Sequence, residues 1–242
     1  MKLREFLQQQ WLSRRNITAV IDAGNVFVND KKVESYGEVI SDWDVVKFQD
    51  QTWICTISNN QKESEFVVFY KPIGYVCSKS DPHNATIYEI LPKEYHGWYY
   101  IGRLDSNSRG LVLMTNDAKM VDQYEHPRHG ITKEYLVTLN KSFRQQDAQT
   151  CLDGIDDQEE NLKAIECQIL DDKMYEKYKK FLIEDVVKSP SCVVRMVLNE
   201  GKKRHIRRMM STMRYHVEDL VRIREGEFEL GDLKEWEIEA VS

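Results

Sequence analysis

The sequence lacks several features that would assign it to a class of protein at once. No apolar run approaches the roughly 20 residues that a membrane-spanning helix needs, and the first residues contain no apolar signal core. The five cysteines are scattered, odd in number and never in Cys-x-x-Cys spacing, which favours reduced thiols over a disulfide framework. With only 11 glycines and 5 prolines, the composition is not that of a fibrous or disordered chain. We therefore expect a soluble, cytoplasmic protein with no membrane partner.

Motifs for nucleotide and metal chemistry are also missing. There is no Gly-rich phosphate loop of the Walker or dinucleotide type. Two histidines occur together in His126-Pro-Arg-His129, but no third or fourth ligand lies nearby at a usable spacing. The histidines have no context that suggests a Ser–His–Asp set. These absences argue against a metal site and against a nucleotide cofactor.

The charge of the chain is unevenly distributed. The net charge is −6 and the isoelectric point is near 5.6, which by itself argues against a nucleic-acid partner. However, Lys202–Arg208 contains five cations in seven residues, while acidic residues concentrate at 153–160 and near the C-terminus. Such segregation allows a basic cleft on an acidic protein.

Residues 1–60 predict a small domain of two helices followed by short strands. Two apolar stripes at helical spacing predict the helices; they consist of Leu3, Phe6 and Leu7, and of Ile17, Val20 and Ile21. Two short β-type runs, at 26–28 and 45–48, predict the strands. Ser13 is a good N-cap for the second helix and Gly24 a natural stop. Arg14 and Arg15 fall in its first turn, where cations oppose the helix dipole. They either bind an anion there or are ordinary solvated arginines. Residues 51–65 are polar and predict a linker.

The stretch Ile101–Asp117 predicts a strand, a turn and a second strand. An apolar run ends near Ile101, the turn covers 106–110, and a second apolar run covers 111–114. Asp105 stands where the first run ends, with Arg103 two residues before it. Strand-end loops often carry reacting groups, but aspartate also commonly caps a turn. Both interpretations of Asp105 stay open on local grounds.

The remainder predicts many strands with interspersed helices and no repeated βαβ unit. The predicted strands are 66–70, 75–77, 132–139, 163–170, 192–198, 217–223, 228–230 and 236–240, and the predicted helices are 118–124 and 143–152. Alternation places Tyr135 on one face of its strand with Val137 and Leu139, so a core tyrosine is the simplest interpretation of Tyr135 alone. The charged segment 171–188 predicts a solvated excursion.

Residues 201–214 predict an amphipathic helix with a basic side. Ile206, Met209, Met210 and Met213 form one apolar face. At about 100° per residue, Arg207 lies at the edge of that face, where it can turn into a cleft, whereas Lys202, Arg204 and Arg208 point outward. Lys202, Lys203 and Arg204 crowd the helix start, which is favourable if an anion binds there.

Four motifs in order resemble those of pseudouridine synthases. They are Lys71-Pro72-x-Gly74, Gly102-Arg-Leu-Asp105 with its continuation to Asp117, Lys133-Glu-Tyr135-Leu-Val, and Gly201-x-x-Arg-His-Ile-Arg207-Arg-Met. Residues 1 to about 50 resemble the S4 RNA-binding domain, apart from Asp30, which replaces the usual glycine of an Asn-Gly turn and predicts a hairpin turn of another type. Together they resemble the bacterial group that modifies uridines in small- and large-subunit ribosomal RNA.

The resemblance implies a fold and an activity. The expected fold class is α+β: an S4 domain (helix–helix–strand) at 1–60 and a catalytic domain at 61–242, with a mixed, mostly antiparallel sheet flanked by helices. The expected reaction isomerises specific uridines to pseudouridine in ribosomal RNA or ribosomal subunit precursors. Since isomerisation needs no redox change or energy source, no cofactor and no metal are expected. We expect a monomer.

The resemblance also implies roles for single residues. Asp105 matches the essential aspartate, Arg207 the basic residue that pairs with it, and Tyr135 the tyrosine that stacks on the target base. Arg103 matches a residue that helps to extrude the nucleotide or holds the opened RNA. The other residues expected to bind RNA are Arg14, Arg15, Lys71, Lys202, Lys203, Arg204 and Arg208. Two alternatives stay open: a non-catalytic RNA-binding or ribosome-assembly protein on the same scaffold, and an N-glycosidase that releases the base.

Overall fold

The computed structural model of the chain describes residues 2–9, 14–33, 35, 37–41, 43–49, 51–55, 64–157 and 160–241. Backbone contacts divide the chain into two compact units, Met1–Lys62 and Glu63–Ser242. Among the described residues, no helix combines the length and apolar character that crossing a membrane requires.

The N-terminal unit has the predicted order of two helices followed by strands. Its elements are α1 (Leu3–Gln9), α2 (Arg14–Asp22), β1 (Val26–Val28), β2 (Lys31–Lys32), β3 (Val45–Phe48) and β4 (Gln51–Ile54). The strands form an antiparallel sheet in the order β2-β1-β3-β4. Strand β4 lies where the sequence predicted the start of a linker, so that part of the prediction is wrong. The predicted cap Ser13 is outside the described residues.

Two turns define the path of this unit. Helix α2 ends at the predicted stop, where Gly24 has a φ of +68° and its amide donates to the carbonyl of Ile21. The β1–β2 hairpin turns at Asn29 and Asp30, with φ values of +49° and +65°. Positive φ at both central residues is the geometry that Asn-Gly hairpins use. The expectation of another turn type, based on Asp30, is therefore wrong, because aspartate tolerates the left-handed region.

The C-terminal unit is built on one large sheet. The strands of this unit are β5 (Phe66–Lys71), β6 (Tyr99–Ile101), β7 (Arg109–Thr115), β8 (Lys133–Leu139), β9 (Ile155–Asp157), β10 (Glu160–Leu162), β11 (Glu166–Ile169), β12 (Val193–Leu198), β13 (Val217–Glu225), β14 (Phe228–Glu229) and β15 (Ile238–Val241). Strands β9 and β10 form a separate antiparallel pair, and the other strands form the large sheet. Its α-helices are α3 (Ala118–Glu125), α4 (Gln145–Asp153), α5 (Asp172–Tyr178) and α6 (His205–Thr212). The predicted strand at 75–77 is wrong: only Val76 forms an isolated bridge, to Thr86.

The sheet is mixed and mostly antiparallel, as predicted. Its strand order is β11-β12-β8-β13-β7-β5-β15, with β14 paired to β13 and β6 paired to β7. Strands β13 and β7 are parallel, and the other neighbours in the sheet are antiparallel. The centre of the sheet therefore joins the strand after Asp105 to the strand that carries Tyr135 through β13.

Helices cover both faces of this sheet. Ala148 of α4 and Met209 of α6 pack on the face that includes Tyr135, whereas Tyr124 of α3 and Tyr178 of α5 pack on the opposite face. All residues of β8 are consequently buried, including the polar ones. The segment 171–188 was predicted to be a solvated excursion. Most of it is exposed, but Tyr178 and Leu182 are buried on the face of the sheet opposite Tyr135 and anchor the segment there.

At Gly110, the backbone of β7 approaches the backbone of β13 closely. Gly110 lies opposite Lys71 of β5 and Arg222 of β13, with a φ of +107°. A Cβ atom at this position would lie 2.3 Å from the carbonyl oxygen of Arg222. Backbone atoms inside a sheet cannot move aside as a flexible side chain can, so only glycine fits here.

We predict that Gly110→Ala lowers the free energy of unfolding by at least about 3 kcal/mol, because a backbone clash adds to the strain of positive φ. Gly130→Ala is the matched control. Gly130 also has a positive φ, +63°, but nothing lies within 4 Å of its Cβ position, so the expected loss is about 1 to 2 kcal/mol. Denaturant unfolding followed by circular dichroism measures both. Equal losses would contradict the clash.

Candidate active site

A cleft of about 940 Å³ opens in the C-terminal unit and brings the distant motifs together. Asp105 and Arg103 reach it from the segment between β6 and β7, Tyr135 from β8, and Arg204 and Arg207 from the start of α6. The sequence separated these residues by up to about a hundred positions. The fold unites them because β8 and β7 both flank β13.

Asp105 lies on a short turn with its carboxylate partly exposed to the cleft. The turn is closed by the amide of Ser108, which donates to the Asp105 carbonyl at 3.0 Å. The neighbouring Ser106 carbonyl accepts from the amide of Gly74 at 2.7 Å. The backbone on both sides of the acid is therefore held, while the carboxylate itself remains accessible to a ligand.

The side chain of Lys71 holds this turn through hydrogen bonds to its backbone carbonyls. The Lys71 side chain is fully buried, and its ammonium donates to the carbonyls of Asp105 at 3.2 Å, Ser108 at 2.6 Å and Pro72 at 2.9 Å. Three acceptors match the three hydrogens of an ammonium group. The buried ammonium has no donor left for a phosphate, which argues against a direct contact of Lys71 with RNA. Burial lowers the pKa of Lys71 to about 8, an effect that the nearby Asp105 opposes.

Arg207 turns into the cleft, as the helical spacing predicted. Its guanidinium donates to the carbonyls of Asn107 at 2.6 Å and Val217 at 3.1 Å. Burial and the neighbouring Arg204 lower the pKa of Arg207, while Asp105 raises it. The expected direct ion pair of Arg207 with Asp105 is not formed. Arg207 instead braces the turn that carries the acid.

Among the described residues, Arg204 is the one cation that forms an ion pair with the Asp105 carboxylate. Its guanidinium lies 3.9 Å from the carboxylate, so the prediction that Arg204 points outward is wrong. The helical projection failed because Arg204 precedes α6 and has a left-handed φ of +53°. A residue outside the helix does not follow its angular repeat.

The other cations near the start of α6 that were predicted to contact RNA differ in their exposure and in their partners. Lys203 is exposed on the wall of the cleft, and Lys202 also lies there but binds the Asn161 carbonyl and Glu200. Arg208 binds Asp157 at 2.6 Å and also Glu160. Its charge is therefore neutralised within the protein, which argues against Arg208 as an RNA contact.

Three further predicted RNA contacts lie in different parts of the chain. Arg103 is exposed and lines the cleft. Arg14 and Arg15 begin α2, but their side chains are outside what the structure describes.

Tyr135 reaches the cleft from the middle of β8 and is 8% exposed. Burial raises the pKa of its phenol, and Arg222 partly opposes that effect. The tyrosine belongs to the apolar cluster with Val137 and Leu139, so it is a core residue as well as a cleft residue. The core position expected from alternation and the base-stacking role implied by the resemblance are therefore compatible for Tyr135.

Sequence reasoning missed the charged residues beneath the cleft. Arg222 and Lys133 line it, and both lie within 3.3 Å of the carboxylate of Glu225. The only signal in the sequence was the unusual density of charge in Val217–Glu225, a segment predicted to be a strand. Nothing in the local pattern indicated that these charges face a common interior.

This arrangement offers a carboxylate, a phenol and two guanidiniums to one bound molecule. A planar base can stack on the tyrosine ring, and the guanidiniums can bind phosphate or stabilise negative charge. The carboxylate can act at a sugar carbon as a nucleophile, as a base or as a charge stabiliser. In the described parts of the chain, no group of three or more His, Cys, Asp or Glu side chains could hold a metal ion.

The sequence matches a family model described as RNA pseudouridylate synthase over residues 65–212. A solved structure described as a pseudouridylate synthase superposes with a TM-score of 0.65 at 27% identity, covering 100% of this chain and 96% of the other. The match thus includes the four motifs and extends over both units.

Named relatives act on either ribosomal subunit according to their names. Ribosomal large subunit pseudouridine synthase B of Buchnera aphidicola is 27% identical, covering 95% of this chain and 90% of the relative. The protein of the same name in Haemophilus influenzae is 31% identical, covering 90% of this chain and 57% of the relative. Ribosomal small subunit pseudouridine synthase A of H. influenzae is 29% identical, covering 96% and 91%.

Lys71 gives the unfolding free energy a defined pH dependence. Its pKa is about 8 in the folded protein, against 10.5 for an unburied lysine, so the unfolded chain binds more protons between these values. Stability at this site therefore rises as the pH increases through this window. We expect the unfolding free energy of the wild type to gain about 3 kcal/mol relative to Lys71→Met between pH 7 and 10.5. Denaturant titrations at both pH values measure the difference, and a constant difference would contradict the lowered pKa.

Proposed function

Because the chain belongs to the RNA pseudouridylate synthase family, we propose that it isomerises specific uridines in ribosomal RNA to pseudouridine, with Asp105 as the essential acid. The observation that carries this proposal is the convergence of Asp105, Tyr135 and Arg207 on one cleft. A protein that only bound RNA would have no need of a supported carboxylate beside a buried phenol. The names of the relatives favour ribosomal RNA as the substrate.

The reaction breaks the N1–C1′ bond of uridine, turns the uracil and joins its C5 to C1′. The hydrogen that leaves C5 is balanced by the one that returns to N1, so no oxidant, metal or energy source is required. Asp105 acts at the sugar, where its charged form serves as a nucleophile, a base for a sugar proton or a stabiliser of positive charge at C1′. Tyr135 supports the uracil ring and passes a proton.

The RNA must be opened before the target base can enter the cleft. Extruding a base costs a few kcal/mol, which contacts to phosphate can offset. We assign these contacts to Arg103 and Arg204 at the cleft, together with Lys202 and Lys203 at the start of α6. Arg14 and Arg15 of the S4-like unit supply a second contact. The protein acts as a cytoplasmic monomer on ribosomal RNA or subunit precursors.

We predict that the wild type creates new pseudouridines in ribosomal RNA and that Asp105→Asn creates none, because the amide is neither a nucleophile nor a base. Carbodiimide-dependent stops in primer extension map the product. Asp232→Asn is the control, since Asp232 is an exposed carboxylate paired with Lys180 outside the cleft, and it should retain activity. The same stops with Asp105→Asn would contradict the role of the acid.

The two alternatives give different results in this assay. A non-catalytic RNA-binding or assembly protein would bind the RNA without any new stop. An N-glycosidase would release free uracil and leave an abasic site, which is detected by strand cleavage on mild alkaline treatment. Either result with the wild-type protein would overturn the proposed isomerisation.

Substitutions of Arg207 and Arg204 should have different effects on turnover and on RNA affinity. Arg207→Ala removes the brace of the Asp105 turn, so we expect about a hundredfold slower turnover with RNA affinity within about threefold of the wild type. Arg204→Ala removes a partly exposed cation and should weaken affinity and the salt dependence of binding. Single-turnover rates and filter binding measure both effects. If Arg207→Ala loses affinity as much as rate, Arg207 is a phosphate contact.

A further inference from the structure

Three charged side chains lie buried beneath the cleft and have no role in the reaction described above. Lys133 is 8% exposed, Arg222 is 1% and Glu225 is 0%. Glu225 lies 3.3 Å from the Lys133 ammonium and 3.2 Å from the Arg222 guanidinium. Replacing a buried ion pair by apolar residues is often neutral or stabilising. Stability alone therefore does not explain why these charges are present.

A bulge in β13 brings the charged residues to the same face of the sheet. In a regular strand, residues three apart point to opposite faces. The register between β13 and β8 shifts between Arg222 and Arg224, so that Arg222 lies opposite Tyr135 and Glu225 lies opposite Lys133. Tyr135 and Lys133 are two residues apart and share a face. The bulge thus aims Arg222 and Glu225 at the tyrosine side of the sheet, a use of bulges that is common beside active sites.

Arg222 contacts the three parts of the site that must keep their relative positions. Its Nε donates to the carbonyl of Leu111 in β7 at 2.7 Å. Its Cα atom is paired with that of Tyr135 across the β8–β13 register, and both side chains line the cleft. Burial raises the pKa of the Tyr135 phenol, and the charge of Arg222 opposes that effect. On the third side it packs under Gly102, where an added Cβ atom would lie 3.3 Å from Arg222 Nη1 and 3.1 Å from Glu225 Oε1. Gly102 begins the segment that leads to Asp105.

The chemistry of arginine gives this contact a direction. A guanidinium has only donors, so a hydrogen bond between Arg222 and Tyr135 has the phenol oxygen as its acceptor. The hydroxyl hydrogen must then point elsewhere, and the open side of the tyrosine is the cleft. We propose that Arg222, neutralised by Glu225, is a positioning residue that fixes the Tyr135 hydroxyl as a donor toward the bound nucleotide. This inference rests on the proposed function.

A double-mutant cycle tests whether Arg222 acts through the Tyr135 hydroxyl. Single-turnover rates are measured at saturating protein for the wild type, Arg222→Lys, Tyr135→Phe and the double variant. We expect Arg222→Lys to lower the rate about tenfold to a hundredfold, the effect of one charged hydrogen bond, with RNA affinity unchanged. In the Tyr135→Phe background the same substitution should change the rate less than about twofold, because residues in one network are not additive.

Arg109→Lys is the matched control for losing a buried guanidinium from this sheet. Arg109 is 3% exposed and binds Asp219 and the Phe181 carbonyl, and it does not line the cleft. Its effect on the rate should be the same with Tyr135 and with Phe at position 135. If the effect of Arg222→Lys on the rate is also the same with Tyr and with Phe at position 135, Arg222 has only a structural role and the proposal fails. An inactive wild type would instead overturn the proposed function.

Two further variants keep the proposal testable. If Arg222→Lys gives no cooperative melting transition, Glu225→Gln replaces it in the cycle, with the same loss of additivity expected. If Tyr135→Phe has no measurable rate, Arg222→Lys is compared with Arg222→Met. Positioning by charge predicts at least about tenfold more activity for lysine at equal melting temperature. Equal rates for the two variants would overturn the proposal.

Discussion

The buried ammonium of Lys71 is the interaction on which the active-site geometry depends. It leaves the end of β5 and donates to three carbonyls, two of which belong to the Asp105 turn. Leu104 is buried in the core just before the acid, but residues 106–108, which follow the acid, are polar and supply no apolar anchor. A charged donor bound to backbone carbonyls in a dry environment is strong and directional. The carboxylate can thus stay exposed to substrate while the backbone that carries it is held.

The rest of the site is arranged around this fixed turn by the sheet. Strand β13 lies between β7 and β8, and Gly110 allows the backbones of β7 and β13 to approach closely. The bulge in β13 then directs Arg222 toward Tyr135, and α6 places Arg207 against the other side of the turn. The acid, the phenol and the guanidinium thus hold their positions through backbone contacts more than through contacts with one another.

Prediction from sequence succeeded where short-range patterns decide the structure. The strand at 133–139 and the helix that begins near 205 followed from alternation and helical spacing. The inward turn of Arg207 followed from its angle to Ile206. The motifs also identified the cleft residues Asp105, Tyr135, Arg103 and Arg207 correctly as neighbours. The sequence did not reveal the partners of Lys71, Arg204 and Arg208, because each of these cations has a partner from a distant segment.

The order of elements, the family and the motif residues that line the cleft were contained in the sequence, because periodicity and turn chemistry act over a few residues. The binding partner of each charged side chain was decided only by the tertiary structure. Whether a lysine or arginine binds solvent, a carboxylate or a buried carbonyl depends on which strands and helices meet around it. Lys71 and Arg222 look like surface cations in the sequence, and the packed sheet makes one the support of the Asp105 turn and places the other against Tyr135.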